Sequence, residues 1–279
     1  MSGSGLETAM LKSRRRGKTE LIFFVNAGDP NPEVTYEMLK VLADAGLTAV
    51  ELCVPFPKSL TDGPLIRQSH QRALDNGVSL DKVLALAEKA QAELGLSVVI
   101  LADYSHTVQP LGMASFLARC ASAGAGASLI HCLPSMLRHR YVEESKKLGL
   151  GRISSFFIGS DEHTRQAAYR DVQGFIYVVS RFGRTGSAVN FKTDVLTQLT
   201  GIRAETDKVL AVGFGVKTTE DVEALKLAGA DAVIIGSAAT AVVERNLNAI
   251  EQIPAEFANL VKQFASVCSS EQKPAYAKA

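Results

Sequence analysis

Along this chain, short and continuously apolar runs alternate with longer stretches in which apolar residues recur every three or four positions. Eight runs stand out: 21–27, 48–53, 97–102, 127–133, 152–158, 174–180, 209–214 and 231–237. Most are apolar throughout and do not alternate with polar residues, the pattern of strands covered on both faces. The stretches between them predict helices over 32–45, 65–75 with 80–93, 112–122, 135–147, 161–169, 191–204, 218–227 and 239–246. A last helix, 253–267, is expected to pack outside. Ser79, Ser135, Asp161 and Thr218 stand where N-caps are needed.

An internal echo organises these elements. ADAGLTAVEL (43–52), ASAGAGASLI (121–130) and LAGADAVIIG (227–236) each read as a helix end, a glycine and a short strand. Gly46, Gly124 and Gly229 fit the position just past a helix, where a left-handed residue is needed, and Gly149 marks a fourth copy. Repetition of one strand–helix unit means a parallel sheet. Eight such units point to an α/β fold, a (β/α)8 TIM barrel with a parallel eight-stranded core. An open doubly wound sheet shares the same alternation. Residues 20–268 are expected to form a single barrel domain, with a flexible N-terminal segment (1–19) and a flexible tail (269–279).

Composition narrows the function classes. The 279 residues are 47% hydrophobic and 21% charged, the profile of a soluble globular protein. Thirty basic residues against 29 acidic ones leave a net charge of +1, with no support for a nucleic-acid or membrane-surface partner. No apolar run reaches the roughly 18 residues of a membrane span. The opening MSGSGLETAMLKSRRRGKTE has no apolar core behind its basic residues, so no secretory signal is expected. Four scattered cysteines with no CxxC pair fit free thiols in a cytoplasmic protein.

In a barrel, reacting groups lie at the C-terminal ends of strands and in the loops that follow. Glu51 interrupts an apolar strand end, where a carboxylate is costly unless paired or used. Desolvation there raises its pKa and suits it to move protons near neutral pH. Asp62 follows in a loop punctuated by Pro and Gly that can fold back over the mouth. Two carboxylates in unlike settings divide acid/base work from charge stabilisation. The plainer alternative has Glu51 paired with a barrel arginine and Asp62 closing an Asx turn. Tyr177 ends the sixth strand, its hydroxyl either in the pocket or packed in the core.

Further on, Gly213-Phe-Gly215 and Gly236-Ser237 let backbone N–H groups approach an anion, where barrels often hold a phosphate, or else permit tight turns. Ser180-Arg181-Phe-Gly-Arg184-Thr-Gly186 reads as a lid over an anionic substrate or as a solvated basic loop. His131 and Cys132 are adjacent on a strand, so they are expected to face opposite sides and not to pair. The histidine spacing matches no metal template, and no Walker or GxGxxG pattern occurs. Neither a metal nor a cofactor is expected.

The segments ELCVPFPKSLTDGPLIRQ, YVVSRFGRTG, AVGFGVKT and IIGSA, in this order behind FFVNAGDPNPEVT, resemble the tryptophan synthase alpha subunit family. The resemblance runs over nearly the whole chain. It implies the barrel and a retro-aldol cleavage of indole-3-glycerol phosphate to indole and glyceraldehyde 3-phosphate, with no cofactor. By position it makes Glu51 the general acid/base, Asp62 the carboxylate that holds the indole N–H, and Tyr177 the active-site tyrosine. It assigns phosphate binding to Gly186, Gly215, Gly236 and Ser237. Phe24, Tyr104, His131, Arg181 and Ile234 are expected along the pocket.

The chain departs from the family pattern at four places. Lys58 stands where an Asp is usual, His131-Cys132 replaces the Ala-Asp of the fourth strand end, Asn26 replaces a Thr, and Arg184 replaces a Val. The loop with Lys58 is the one that meets the beta subunit in the family. The charge reversal puts that partner in doubt and favours a free-standing lyase. The alternatives are an alpha subunit within a synthase complex, and a diverged lyase or isomerase acting on another phosphorylated substrate.

Overall fold

The apolar runs fold into nine parallel strands, one more than expected, in a computed structural model that describes residues 5–179, 191–213 and 216–268. They are β1 (Glu20–Asn26), β2 (Ala49–Cys53), β3 (Ser97–Asp103), β4 (Ala127–His131), β5 (Gly151–Arg152), β6 (Ser154–Phe157), β7 (Ile176–Val179), β8 (Leu210–Val212) and β9 (Ala232–Ile235). Their order is β5-β4-β3-β2-β1-β9-β8-β7-β6. The extra strand comes from a break in the expected fifth run. Gly151 and Arg152 pair with β4, whereas Ser154–Phe157 pair with β7. Ile153 sits at the changeover, its N–H still bonded to Ser128 O at 3.0 Å and its side chain inside the barrel. One segment thus changes neighbours part-way along, and the chain itself completes the ring. This is a (β/α)8 barrel with its fifth strand split.

Strand alternation sorts the side chains into two layers. Ile22, Val99, Leu129, Phe175, Val209 and Ile234 fill the barrel interior. The intervening positions, such as Phe23, Val50, Leu52 and Ile100, face the helices. The last helix, Ile253–Cys268, packs on that outer side, where Phe257 meets Phe23 edge-on at 5.2 Å. No helix among the described residues is long and apolar enough to cross a membrane.

Local signals behave as the sequence dictates, with two exceptions. Gly46, Gly124, Gly149 and Gly229 all adopt positive φ at helix ends. Asp161 caps the Glu162–Asp171 helix, and Thr218 forms a reciprocal capping box with Asp221. Ser79 stands at its N-cap position without a side-chain bond. Ser135 is no cap, because the chain enters a short 3-10 turn there behind Pro134.

The opening segment, expected to be flexible, contains a helix. Gly5–Arg15 lies under the barrel with Leu6 and Met10 buried among the interior residues. Arg14 donates to Asp207 O at 2.8 Å and stands 3.7 Å from Asp231 Oδ2. Residues 269–279, expected as a tail, lie outside the described residues.

Candidate active site

The strand ends at the open side of the barrel bring the two acids to one place by different routes. On β2, Ala49 belongs to the interior layer and Val50 and Leu52 to the outer one, so alternation turns Glu51 inward. It is 1% exposed. No cation pairs with it among the described residues, and its Oε1 accepts no hydrogen bond there. The arginine-paired alternative thus finds no partner among the described residues; Arg181 and Arg184 lie outside them. Burial pushes its carboxyl up to about 8. Such a group is mostly protonated at neutral pH yet able to ionise, the property a proton donor and acceptor needs.

Asp62 reaches the mouth on the loop between β2 and the Pro64–Asp75 helix. Ser59 Oγ donates to its Oδ2 at 2.6 Å. The ring of His70, on the following helix, faces the same oxygen at 3.4 Å. Burial pushes the Asp62 carboxyl up, but His70 and Ser59 pull further the other way and leave it below its ordinary value. The site thus holds one acid kept neutral and one kept ionised.

Tyr177, on β7, donates its hydroxyl to Gly213 O at 2.8 Å. Burial, then the charges of Glu51 and Asp62, drives its phenol pKa far up, so it stays a neutral donor. Gly213 has no room for a side chain, since a Cβ would lie 2.6 Å from Ile234 Cβ and 2.7 Å from the Tyr177 hydroxyl. Phe24 pairs in register with Glu51 and also lies against Gly236. Ile234 and Phe24 belong to the interior layer of the barrel. Gly236 and Ser237 lead into the Ser237–Arg245 helix, whose N-terminal N–H groups and positive dipole end stand at the mouth. Gly186, Gly215, Arg181 and Arg184 lie outside the described residues.

The other two described pocket candidates stand at strand ends. His131 ends β4, with its Nε2 at 3.0 Å from Thr61 Oγ1, which ties the strand to the acid loop. Tyr104 follows β3 and packs against the outer layer. The sequence reading missed several contributors. His70 is one, buried on the inward stripe Ser69-His70-Ala73, where a polar pair on a packed helix face was the signal. Phe157 is another, 54% exposed and alternating with buried Phe156, hence on the interior side of the mouth. The expectation that His131 and Cys132 face apart also fails. The strand stops at His131, and Cys132 takes φ 55°, which breaks the alternation.

A profile of the tryptophan synthase alpha chain matches residues 10–269. The chain belongs to the tryptophan synthase alpha chain family. A Synechocystis tryptophan synthase alpha chain is 37% identical over 225 residues, covering 81% of this chain and 85% of the relative. The Methanoregula boonei alpha chain is 32% identical over 254 residues, covering 90% and 96%. Among solved structures, the alpha subunit of tryptophan synthase from Legionella pneumophila superposes with a TM-score of 0.85 at 22% identity, over 96% of this chain and 99% of that one. Enzymes of the tryptophan synthase alpha chain family are lyases that split indole-3-glycerol phosphate into indole and glyceraldehyde 3-phosphate. Within that family's fold, Asn26 donates to Ser69 Oγ at 2.9 Å below the mouth. Lys58 is exposed on the acid loop in a left-handed conformation, φ 56°.

Proposed function

We propose that this chain cleaves indole-3-glycerol phosphate to indole and glyceraldehyde 3-phosphate, and that it works as the alpha subunit of a two-component tryptophan synthase. Glu51 carries the first part. A buried carboxyl with no ion-pair partner among the described residues, its pKa raised to about 8, suits proton transfer at a barrel mouth better than a structural role. Protonated Glu51 gives its proton to indole C3. The positive charge that develops on the ring nitrogen is held by ionised Asp62. The resulting Glu51 carboxylate takes the proton of the glycerol hydroxyl next to the ring. The carbon–carbon bond breaks, its electron pair returns to the ring, and an aldehyde leaves. One proton is given and one regained, so Glu51 ends as it began. Tyr177 fixes the wall beside it through Gly213. The N–H groups at Gly236 and Ser237 hold the phosphate, with Gly186 and Gly215 as the remaining phosphate positions.

The alpha-subunit reading takes precedence over the free-standing one. The relatives are named as alpha chains along most of their length. The rim of the mouth also presents two apolar side chains to solvent, Leu60 at 96% and Met136 at 85% exposure. They lie on the loops that Thr61 and His131 join, where an apolar partner surface would cover both. Lys58 then selects an acidic counterpart on that partner.

The test is indole release by the purified chain, alone and with a tryptophan synthase beta subunit, against Glu51→Gln. The expected result is release that Glu51→Gln lowers by about 10²-fold or more and that the beta subunit raises. An equal rate with and without the beta subunit returns the free-standing reading. No release in either case, with glycerol phosphate still bound, points to another phosphorylated substrate.

A further inference from the structure

We propose that Asp103, His131 and Cys132 form a binding site for a soft divalent metal ion of the zinc class on the rim of the barrel mouth. One ligand-type atom from each of these residues lies within 4.8 Å of the other two. The three come together through a specific piece of backbone. Asp103 and His131 are register partners at the ends of β3 and β4, both on the interior side. A continued strand would send Cys132 to the opposite face. The strand ends instead, and Cys132 adopts φ 55°, a left-handed conformation that a cysteine rarely takes. That turn brings the thiol beside the imidazole and the carboxylate. Strain of this kind in a non-glycine residue concentrates at working sites.

The donor set is one thiol, one imidazole and one carboxylate. Three protein ligands with a fourth position left open is the pattern of reactive zinc sites, and a thiolate selects zinc-class ions over magnesium or calcium. Two of the ligands are already held in place from behind, as metal ligands usually are. His106 donates to Asp103 Oδ1 from its backbone N–H at 2.9 Å and from its ring Nδ1 at 2.7 Å. Phe56 stacks on the His106 ring at 5.5 Å. Thr61 Oγ1 lies 3.0 Å from His131 Nε2 and ties the ring in place. Cys132 is exposed, so an ion reaches it from solvent. Binding replaces the thiol proton by the metal and releases that proton to water.

Cobalt(II) is the probe, because a thiolate ligand gives it an intense near-ultraviolet charge-transfer band. The full chain, stripped with a chelator, is titrated with Co²⁺ and then with Zn²⁺. The expected result is the thiolate band at one equivalent, strong visible bands of four-coordinate cobalt, and displacement by zinc. The other cysteines, Cys53, Cys120 and Cys268, are buried, so Cys132→Ser abolishes the band. His131→Gln weakens cobalt binding about tenfold or more. Both substitutions lie near the surface, and near-ultraviolet circular dichroism checks that the barrel persists. Absence of the band at one equivalent overturns the proposal, as does a band unchanged in Cys132→Ser or affinity unchanged in His131→Gln. None of these readouts depends on the turnover of indole-3-glycerol phosphate.

Discussion

His70 Nε2 stands 3.4 Å from Asp62 Oδ2 while its Nδ1 accepts the backbone N–H of Phe56 at 3.3 Å. The Phe56 bond fixes the tautomer. With Nδ1 an acceptor, the ring proton sits on Nε2 and faces the carboxylate. The Pro64–Asp75 helix thereby reaches back to hold the acid of the preceding loop, and Phe56 leans on the same ring at 4.5 Å.

His70 is thus a positioning residue for Asp62. Replacing it with Leu removes one of the groups that keep the Asp62 carboxyl low. A higher Asp62 pKa means less carboxylate at acid pH. The acid limb of kcat/KM for indole release is expected to move to higher pH in His70→Leu, and His70→Asn, which can still donate, to recover part of the shift. An acid limb that stays in place in His70→Leu would count against the assignment.

The opposite sign holds for Glu51. Its folded value of about 8 lies above the ordinary 4.5, so the folded chain keeps a proton that the unfolded chain has lost. Stability attributable to this group falls as pH rises from about 4.5 to 8, by roughly 5 kcal/mol at most, and is level above. Glu51→Gln does not titrate. Its urea midpoint is expected to exceed that of the parent at pH 8 and to converge with it toward pH 5. In the parent, kcat/KM falls above about pH 8 as the acid form is lost. Parallel stability profiles for the two proteins would refute a neutral buried Glu51.

Much of this was readable beforehand, and the failures share a cause. The strands read clearly because a strand covered on both faces needs apolar residues at every position. Glu51 stood out for the same reason, as an acid in the interior of such a run. Local reading could not show that residues 152–158 would split at Ile153, because the split lies in which neighbour each half pairs with. It could not show that the strand would end at His131, one residue before Cys132. Nor could it pair His70 with Asp62, since that contact depends on how a helix returns to its own loop.

Gly213 marks where the barrel wall is tightest beside the site. A methyl group there would overlap Ile234 and the Tyr177 hydroxyl, neither of which is the free end of a flexible chain. Gly213→Ala is expected to lower stability by about 1–3 kcal/mol through overpacking. It also displaces Tyr177 from its bond to the Gly213 carbonyl, so kcat should drop more than thermal stability alone predicts. Tyr177→Phe separates the two effects. It keeps the ring and loses the bond, and an activity loss without the Gly213→Ala drop in melting temperature is the expected pattern.

The helix under the barrel gives the clearest stability test away from the chemistry. Besides Leu11, it is Leu6 and Met10, four residues apart, that announce it, within a segment rich in glycine, serine and arginine. Both side chains are nonetheless buried, at 2% and 1% exposure, among the interior residues at the floor. Without them the lower layer of the interior would open to water. Leu6→Ala and Met10→Ala are each expected to cost about 2–5 kcal/mol, read as a lower urea midpoint with the fold otherwise intact. Arg14→Ala, which removes a half-exposed contact to Asp207 and Asp231, should cost about 1 kcal/mol or less. A flexible lead-in would leave all three variants at the parent's midpoint, so the difference between Leu6→Ala and Arg14→Ala decides whether the helix is part of the barrel's core.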